Sequence, residues 1–221
     1  MAAGIARRPI PPIFSTQKFM PFHFPDMLVI RHGETQWNVA GRLQGHKDTP
    51  LTANGVRRTL EVGTHLAVRV AACKDARFWV SPLGRARQTA SILADVWGVS
   101  FDCFVDQTSL VERAFGVWEG RSAEEIEQAF PEQFEADRAD PWGYAMPGGE
   151  SHVELMARMR SWLVGLDHST PHVVVAHSVS LRALRGVYTG AAPEDILAYC
   201  EPQTAAFWLS GGQETMIDAL A

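Results

Sequence analysis

The 221-residue sequence lacks the long apolar run of about 18 or more residues that a membrane-spanning helix requires. It also lacks a basic patch, and its formal net charge at pH 7 is -5. Binding to a nucleic-acid backbone needs clustered positive charge, so this charge balance argues against a nucleic-acid partner. We therefore expect a soluble, cytoplasmic protein with no membrane partner and no nucleic-acid partner.

Cysteine is equally scarce, with three residues at wide spacing: Cys73, Cys103 and Cys200. An odd number without a CxxC pair argues against a disulfide framework and a cysteine-based zinc site, so we expect reduced and mostly buried thiols. The sequence contains neither an HExxH pair nor a GxxxxGK[ST] loop. These absences argue against a zinc site and a kinase-type phosphate loop. We expect no bound metal and no cofactor.

The first 26 residues differ in composition from the rest of the chain. They are rich in proline, and they carry basic residues but no acidic residue before Asp26. Such a segment is typical of a tail rather than of a packed core, and it matches targeting peptides poorly. We predict that residues 1–26 form an extension that is disordered or precedes the true start, with Met20 and Met27 as alternative starts. Residues 27–221 are predicted to be one domain.

Strand patterns alternate with helix patterns over that domain. Predicted strands cover residues 27–31, 77–81, 99–105, 172–176, 204–210 and 214–220, and predicted helices follow Thr52 and cover 85–97, 151–166 and 179–188. The helix after Thr52 is predicted to bury the apolar positions Val56, Leu60, Gly63, Ala67 and Val70. The alternation predicts an α/β fold, a three-layer sandwich whose mostly parallel central sheet has helices on both faces. The acidic, aromatic stretch at about 106–150 is predicted to be a lid insertion of loops and short helices.

Basic residues follow three of the predicted strands. The strand at 27–31 delivers Arg31 and His32, the strand at 172–176 delivers His177, and the strand at 77–81 leads to Arg85 at a helix start. In open α/β sheets ligands bind beyond the carboxyl ends of the strands, where helix N-termini also favour anions. A single histidine or arginine there is commonly structural. Two imidazoles and two guanidinium groups at the same edge indicate an anion site.

Six ordered blocks of sequence resemble the histidine phosphatase superfamily, in the branch that contains phosphoglycerate mutases and their phosphatase relatives. The blocks are LVIRHGETQWN (28–38), GRLQGHKDTPLTANG (41–55), SPLGRARQTA (81–90), LVERAFGVWEG (110–120), PGGES (147–151) and VVVAHS (173–178). An RHG triplet alone would be a common accident, whereas six blocks in this order are specific.

The resemblance implies a role for each matching residue. His32 would accept the phosphoryl group of a small phosphomonoester and pass it to water, and Glu112 would donate and accept the proton. Glu34 and Glu119 could do the same proton chemistry, and we interpret them as supporting residues that hold loop or arginine geometry. The phosphoryl oxygens would be bound by three catalytic groups, Arg31, Arg85 and His177, and by two further ligands, Asn38 and Gln44.

One position departs from the family pattern. The family usually has glycine after its second histidine, where this chain has Ser178. Serine keeps the backbone N–H for phosphate binding, but it would be strained at a backbone angle that only glycine adopts. We expect Ser178 to contact phosphate and activity to persist.

Three functions stay open at this point: a phosphatase, a cofactor-dependent phosphoglycerate mutase, and a catalytically silent binding or regulatory module. A mutase must hold a substrate with two anionic groups, so its specificity segment should be basic, but between Glu112 and Glu150 this chain has ten acidic residues, three arginines and no lysine. Silent modules usually lose the nucleophile or the acid, and both are present here. We therefore predict a phosphoric monoester hydrolase.

The lid segment also contains large apolar side chains: Trp118, Trp142, Tyr144 and Met146. They could cover an organic leaving group, or they could pack the lid onto the domain. The substrate therefore stays open among sugar phosphates, phosphoglycerates, nucleotide-derived phosphates and larger esters. A homodimer and a monomer both stay open, because the sequence does not determine the oligomeric state.

Overall fold

A mixed six-stranded sheet lies at the centre of the computed structural model, which describes residues 24–73 and 75–219. Its strands are β1 Met27–Arg31, β2 Arg77–Val80, β3 Phe104–Asp106, β4 His172–Ala176, β5 Ala205–Ser210 and β6 Gln213–Asp218. They lie in the order β3-β2-β4-β1-β5-β6. The first four are parallel, whereas β5 runs antiparallel to both of its neighbours. The predicted strands are confirmed, except that a 3-10 helix occupies part of 99–105 and shortens that strand to β3.

Helices cover the sheet and build the lid. They are α1 Gln36–Val39, α2 Ala53–Ala72, α3 Gly84–Trp97, α4 Ala123–Ala129, α5 Pro131–Ala139, α6 His152–Val164, α7 Ser178–Thr189 and α8 Pro193–Ala198. Thr52, Ser122 and Ser151 cap their helices with side-chain oxygens. The helix start predicted at Thr52 and the predicted helix at 151–166 are confirmed, whereas α1 and α8 were not predicted.

The side chains of β1 alternate between two apolar cores, one on each face of the sheet. Met27 and Val29 belong to the core shared with α6 and α7, whereas Leu28 and Ile30 belong to the core shared with α2 and α3. All four side chains are buried. A strand covered on both faces is what a continuous apolar run predicts, and the three-layer α/β sandwich is confirmed.

The predicted apolar face of α2 was partly wrong. Val56 is 37% exposed and Leu60 is 40% exposed. The helix instead buries the face that carries Gly55, Thr59, Val62, Gly63, Leu66 and Val70. The small residues of this face let other elements come close: a Cβ atom on Gly63 would lie 3.0 Å from Leu93 of α3.

The cysteines are less buried than predicted. Cys103 and Cys200 are exposed and Cys73 is half-buried, and all three are free thiols. Cys103 lies in the 3-10 helix before β3 and Cys200 lies in the loop before β5. Connecting segments run over the surface, which explains their exposure.

Most of the predicted N-terminal extension lies outside the described residues. Phe24 is described and buried, and its ring centroid lies 5.7 Å from that of Tyr188. The packed structure therefore includes Phe24, while the division into an extension and one domain stays a prediction. Among residues 24–73 and 75–219, no helix is long and apolar enough to cross a bilayer.

Candidate active site

The parallel strands bring the predicted histidines to one edge of the sheet. The register pairs Arg31 with Ala176 and Val80 with Val175, so the residues that follow β1, β4 and β2 lie side by side. Two of these are His32 and His177, whose ring centroids are 5.2 Å apart. Both histidines are buried. The carboxyl edge of the sheet thus brings two buried imidazoles next to each other.

His32 presents a neutral ring with one nitrogen free to act as a base or nucleophile. Its Nδ1 lies 2.8 Å from the carbonyl oxygen of Gly33, and because a carbonyl oxygen only accepts, Nδ1 carries the proton. The lone pair is then on Nε2. Burial, together with the charges of Arg31 and Arg85, lowers the pKa of His32 well below its usual value. The ring is therefore unprotonated near pH 7.

His177 is fixed by a hydroxyl group. Its Nε2 lies 2.7 Å from Oγ of Ser81, the residue that follows β2. Burial, followed by the charges of Arg85 and His32, lowers the pKa of His177 well below its usual value. When the Ser81 hydroxyl donates to Nε2, the proton of the neutral ring is on Nδ1. His177 is also the N-cap of α7, so the N-terminus of that helix faces the same region.

Arg85 enters from the first turn of α3 and is held by a neighbouring loop. Its Nη1 donates to the carbonyl of Lys47 at 2.8 Å and to Asp48 Oδ1 at 2.9 Å, and its Nη2 donates to the carbonyl of Gly45 at 2.8 Å. Gly45 has a φ of 56°, and a Cβ atom there would lie 2.1 Å from Glu119 Oε1. Only glycine allows the loop to approach so closely, which places its carbonyl under the guanidinium group.

Arg31 completes the basic cluster. Its Nη1 donates to the carbonyl of Glu201 at 2.7 Å, and its charge lowers the pKa of both His32 and His177. Three buried nitrogens of this cluster have no hydrogen-bond partner among the described residues: Nε of Arg31, Nε of Arg85 and Nδ1 of His177. Buried donors are nearly always paired in folded proteins. This cluster is therefore suited to bind an anion.

A carboxyl group is fixed beside the cluster. Oε1 of Glu112 accepts the backbone N–H groups of Arg113 and Ser180, each at 2.9 Å, and Oε2 accepts that of Val179 at 3.2 Å. Two of these donors belong to the first turn of α7, directly after His177. The charge of Glu112 also interacts with Arg31. The site thus combines a buried neutral imidazole, an anion-binding cluster and a held carboxyl group.

This combination agrees with the comparison with known families. Residues 27–214 match the histidine phosphatase superfamily (branch 1). The chain belongs to the histidine phosphatase superfamily. The resemblance inferred from the six sequence blocks is thereby confirmed.

Its relatives in the superfamily act on phosphate esters. The chain is 31% identical to the 2,3-bisphosphoglycerate-dependent phosphoglycerate mutase of Bartonella quintana (strain Toulouse) over 179 residues. This match covers 78% of this chain and 85% of the mutase. It superposes on the alpha-ribazole phosphatase of Shigella flexneri with a TM-score of 0.72 and 26% identity, over 87% of this chain and 95% of that one. It also superposes on a mycobacterial glucosyl-3-phosphoglycerate phosphatase in complex with VO3, with a TM-score of 0.72 and 27% identity, over 88% of this chain and 98% of that one. The family and these structures support an enzyme that acts on phosphate esters.

The two amide side chains predicted as phosphate ligands have other contacts here. Asn38 Oδ1 accepts the N–H and the hydroxyl of Thr35 at the start of α1, and it also accepts the amide of Gln203. Gln44 is buried, and its Oε1 accepts the hydroxyl of Thr49 at 3.4 Å. Asn38 is therefore linked to the backbone of His32 through Gln203, which also donates to the carbonyl of His32.

Ser178 takes the position where the superfamily usually has glycine, and it is unstrained. It is the first residue of α7, directly after the N-cap. Among the described residues, Asp75 is the one non-glycine residue with a positive φ. Ser178 therefore has ordinary helical backbone, and the glycine-only angle considered from the sequence does not occur.

The two rival carboxylates hold loops, as interpreted from the sequence. Glu34 Oε1 accepts the hydroxyl of Thr52 at 2.6 Å, at the start of α2. Glu119 Oε1 accepts the backbone N–H groups of His46 at 2.9 Å and Phe115 at 3.1 Å. Glu112 is thus the one of the three that is bonded to the helix start next to His177.

The lid, residues 106–150, packs on its own apolar side chains. Trp118, Ile126 and Met146 form a buried cluster, and the ring of buried Trp142 stacks on His152 with centroids 5.5 Å apart. Of the two roles open to the large apolar residues, the structure supports packing of the lid.

Several contacts of the site were not predicted. Ser81 bonds to His177, and Nε2 of His46 donates to the carbonyl of Glu112. Glu201 accepts a hydrogen bond from Arg31, and Gln203 donates to the carbonyl of His32. The charge of Arg182 also interacts with Arg31. Ser81 directly follows β2, so the strand-end rule could have found it. Glu201 and Gln203 precede β5, and only its antiparallel direction brings that end of the strand to this edge.

Proposed function

We propose that this protein is a phosphatase that hydrolyses a small phosphomonoester through a phosphohistidine intermediate on His32. The observation that carries the proposal is the buried, neutral His32 beside the unpartnered donors of Arg31, Arg85 and His177. A fixed imidazole lone pair is a nucleophile, and fixed cations stabilise the charge on the phosphoryl oxygens in the transition state. Two arginines supply positive charge, so the proposed chemistry needs no metal ion and no cofactor.

Two steps make up the proposed reaction. First, Nε2 of His32 attacks phosphorus, the N–P bond forms and the P–O bond to the leaving group breaks. Glu112, protonated for this step, gives its proton to the departing alkoxide. Second, the Glu112 carboxylate takes a proton from water, the water oxygen attacks phosphorus, and the N–P bond breaks to release inorganic phosphate. The N–H groups of Val179 and Ser180 support the position of Glu112 in both steps.

A phosphoglycerate mutase is the second candidate, favoured by the 31% identity to the mutase of Bartonella quintana. Hydrolysis is favoured by the lid, where ten acidic residues outnumber three arginines between Glu112 and Glu150, so that the net negative charge repels a second anionic group. It is also favoured by phosphatases among the structural relatives. A silent binding module is disfavoured, since nucleophile, acid and basic cluster are all present.

The proposal is tested with purified protein, chelator, p-nitrophenyl phosphate and a panel of sugar phosphates, phosphoglycerates and nucleotide-derived phosphates. We expect phosphate release that resists chelator and falls about 10³-fold or more in His32→Ala, because the nucleophile is lost. The matched control is His65→Ala, an exposed histidine on α2, which should keep wild-type turnover. The best ester of the panel identifies the substrate class.

Each other outcome points elsewhere. Phosphate release that His32→Ala retains would refute the phosphohistidine step. No release from any ester, with interconversion of 3-phosphoglycerate, would favour the mutase. Inactivity in both assays would favour the binding module. Cytoplasmic location and the choice between monomer and homodimer stay predictions from the sequence.

A further inference from the structure

The loop that joins α8 to β5, residues 199–204, contacts the pocket from the side of the sheet. The carbonyl of Glu201 accepts Nη1 of Arg31 at 2.7 Å. The Nε2 amide of Gln203 donates to the carbonyl of His32 and to Asn38 Oδ1, each at 3.1 Å. The 199–204 loop therefore touches both the nucleophile's backbone and one of the two pocket arginines.

Arg185 of α7 holds the other side of this loop. Its Nη1 donates to the carbonyl of Cys200 at 3.1 Å and to the carboxylate of Glu201. Its Cζ lies 4.4 Å from the ring centroid of Tyr199 and 3.5 Å from that of Phe207. One guanidinium group thus contacts three consecutive loop residues.

Arg185 has a second partner away from the loop. Its Nε and Nη2 donate to the two carboxylate oxygens of Glu214 in β6, both at 2.7 Å. The side chains of Arg185 and Glu201 are 4% and 1% exposed, so two carboxylates share one buried cation. Burial raises the pKa of Glu201 to about 7 despite the attraction of Arg185. The anchoring of Glu201 therefore depends on Arg185.

We infer that Arg185 is a positioning residue for the phosphate pocket, acting through the 199–204 loop on Arg31 and His32. The inference rests on the proposed phosphatase function. The side chain of Arg31 has several rotatable bonds, and the Glu201 carbonyl is its hydrogen-bond acceptor among the described residues. Arg185 fixes that carbonyl through its neighbours. A displacement of about 1 Å that originates away from the reacting atoms costs about 100-fold in rate.

The first test is Arg185→Lys, which keeps the charge but cannot reach Cys200, Glu201 and Glu214 together. We expect kcat/KM for p-nitrophenyl phosphate to fall about 10- to 100-fold. The Kd of orthovanadate, which probes the pocket without turnover, should rise in parallel. Glu201→Gln keeps the backbone carbonyl and weakens only its anchor, so it should fall between wild type and Arg185→Lys. It also provides the test if Arg185→Lys does not fold.

The control is Glu214→Gln, which removes the same arginine's contact to β6 and leaves its loop contacts intact. It should lower the urea midpoint of unfolding while kcat/KM and the orthovanadate Kd stay within about twofold of wild type. Equal losses in Glu214→Gln and Arg185→Lys would assign the effect to general stability and overturn the inference. Wild-type kcat/KM and Kd in Arg185→Lys would overturn it too.

Failure of the proposed function gives a different result. A wild-type protein that neither hydrolyses any ester of the panel nor binds orthovanadate would refute the phosphatase proposal and the positioning role with it. A wild-type protein that does both, together with an equally active Arg185→Lys, would refute the positioning role alone.

Discussion

An arginine holds a loop both in the proposed phosphate pocket, where it is Arg85, and where the lid attaches to the domain, where it is Arg42. In the pocket, Arg85 binds carbonyl groups and Asp48, and its buried Nε has no partner among the described residues. At the lid, Arg42 binds the carbonyl of Gly120 at 2.6 Å and both oxygens of Glu125 at 2.7 and 2.8 Å. Arg42 is 35% exposed in its side chain, and Arg85 is 1% exposed.

The difference shows that Arg85 is arranged to bind an anion, whereas Arg42 is arranged to hold the lid. At the lid, opposite charges satisfy each other in contact with solvent, so each pair adds little to stability. In the pocket, buried donors are oriented but left under-satisfied, which is unfavourable until an anion supplies the missing acceptors. A preorganised site of this kind stabilises charge without reorganising its dipoles. Substitutions at the buried arginines should therefore lower activity, whereas substitutions at Arg42 should change little, and the stability of the lid should depend on its buried apolar cluster.

Of the substitutions that compare the two regions, the largest effect is expected when Arg85 is replaced. Arg85→Lys keeps the charge but loses the planar fork, so the remaining donor cannot face the phosphoryl oxygens in the same way. We predict that kcat/KM for the best ester falls about 10²- to 10³-fold, measured by phosphate release. The matched control, Arg42→Lys, should retain activity within about threefold. Comparable losses in both variants would remove the distinction drawn between the two forks.

The next substitution, in the lid, should affect stability more than activity. Met146 is 1% exposed in the lid cluster, and Met146→Ala leaves a cavity there. We predict a loss of about 2–5 kcal/mol in the free energy of unfolding, measured by urea denaturation, with a smaller change in kcat than Arg85→Lys causes. Val117→Ala, at a lid residue that is 41% exposed, should change stability by about 0.5 kcal/mol or less. Unchanged stability with abolished turnover in Met146→Ala would instead assign Met146 to substrate contact.

The sequence alone could predict those contacts that depend on strand and helix patterns, but not those that depend on how loops fold. His32, His177 and Arg85 depend on apolar runs and on the meeting of parallel strand ends, so pattern and one rule of sheet geometry brought them together. The contact of Asp48 with Arg85 depends on how a loop folds over a distant helix. Glu201 reaches Arg31 because β5 runs antiparallel, and strand direction leaves no mark in an apolar pattern.

Side-chain packing is the other feature that the sequence alone did not predict fully. Helical spacing predicted that α2 exists, and Thr52 predicted its start, but the helix buries Thr59, Val62 and Leu66 in place of Val56 and Leu60. The start of α2 also packs closely against another segment, since a Cβ atom on Gly55 would lie 2.2 Å from the carbonyl oxygen of Glu34, and an apolar pattern does not reveal such a contact. The lid aromatics were open between two roles for the same reason, because only the contacts of Trp118 and Trp142 show what they pack against.

A third prediction uses pH to separate the regions. The folded-state pKa values of His32 and His177 are lowered, so below about pH 6.5 the unfolded chain binds more protons than the folded one. The free energy of unfolding should therefore fall with falling pH, by about 1.4 kcal/mol per pH unit for each histidine. At the lid, Arg42 lowers the pKa of Glu125, and that contribution is lost only at more acidic pH, as the carboxylate protonates.

Urea titrations at a series of pH values, without phosphate, measure this slope. His152, whose pKa is lowered to about 4, and His172 act in the same direction. The contribution of His177 to this pH dependence is therefore measured with His177→Gln, which should reduce the slope by about one proton. An unchanged slope in this variant would show that His177 takes up its proton as readily in the folded chain as in the unfolded one.

The smallest effect is expected at Ser178, where the pocket departs from the usual family residue. Because Ser178 has ordinary helical backbone, Ser178→Gly relieves no strain, and turnover should stay within about twofold of wild type. Gly98→Ala is the contrasting control: Gly98 has a φ of 66° after α3, so this substitution should destabilise by about 1–2 kcal/mol. If Ser178→Gly raised turnover by orders of magnitude, backbone strain could not be the reason. The hydroxyl is the remaining difference, so the serine side chain itself would then be what obstructs the phosphoryl group.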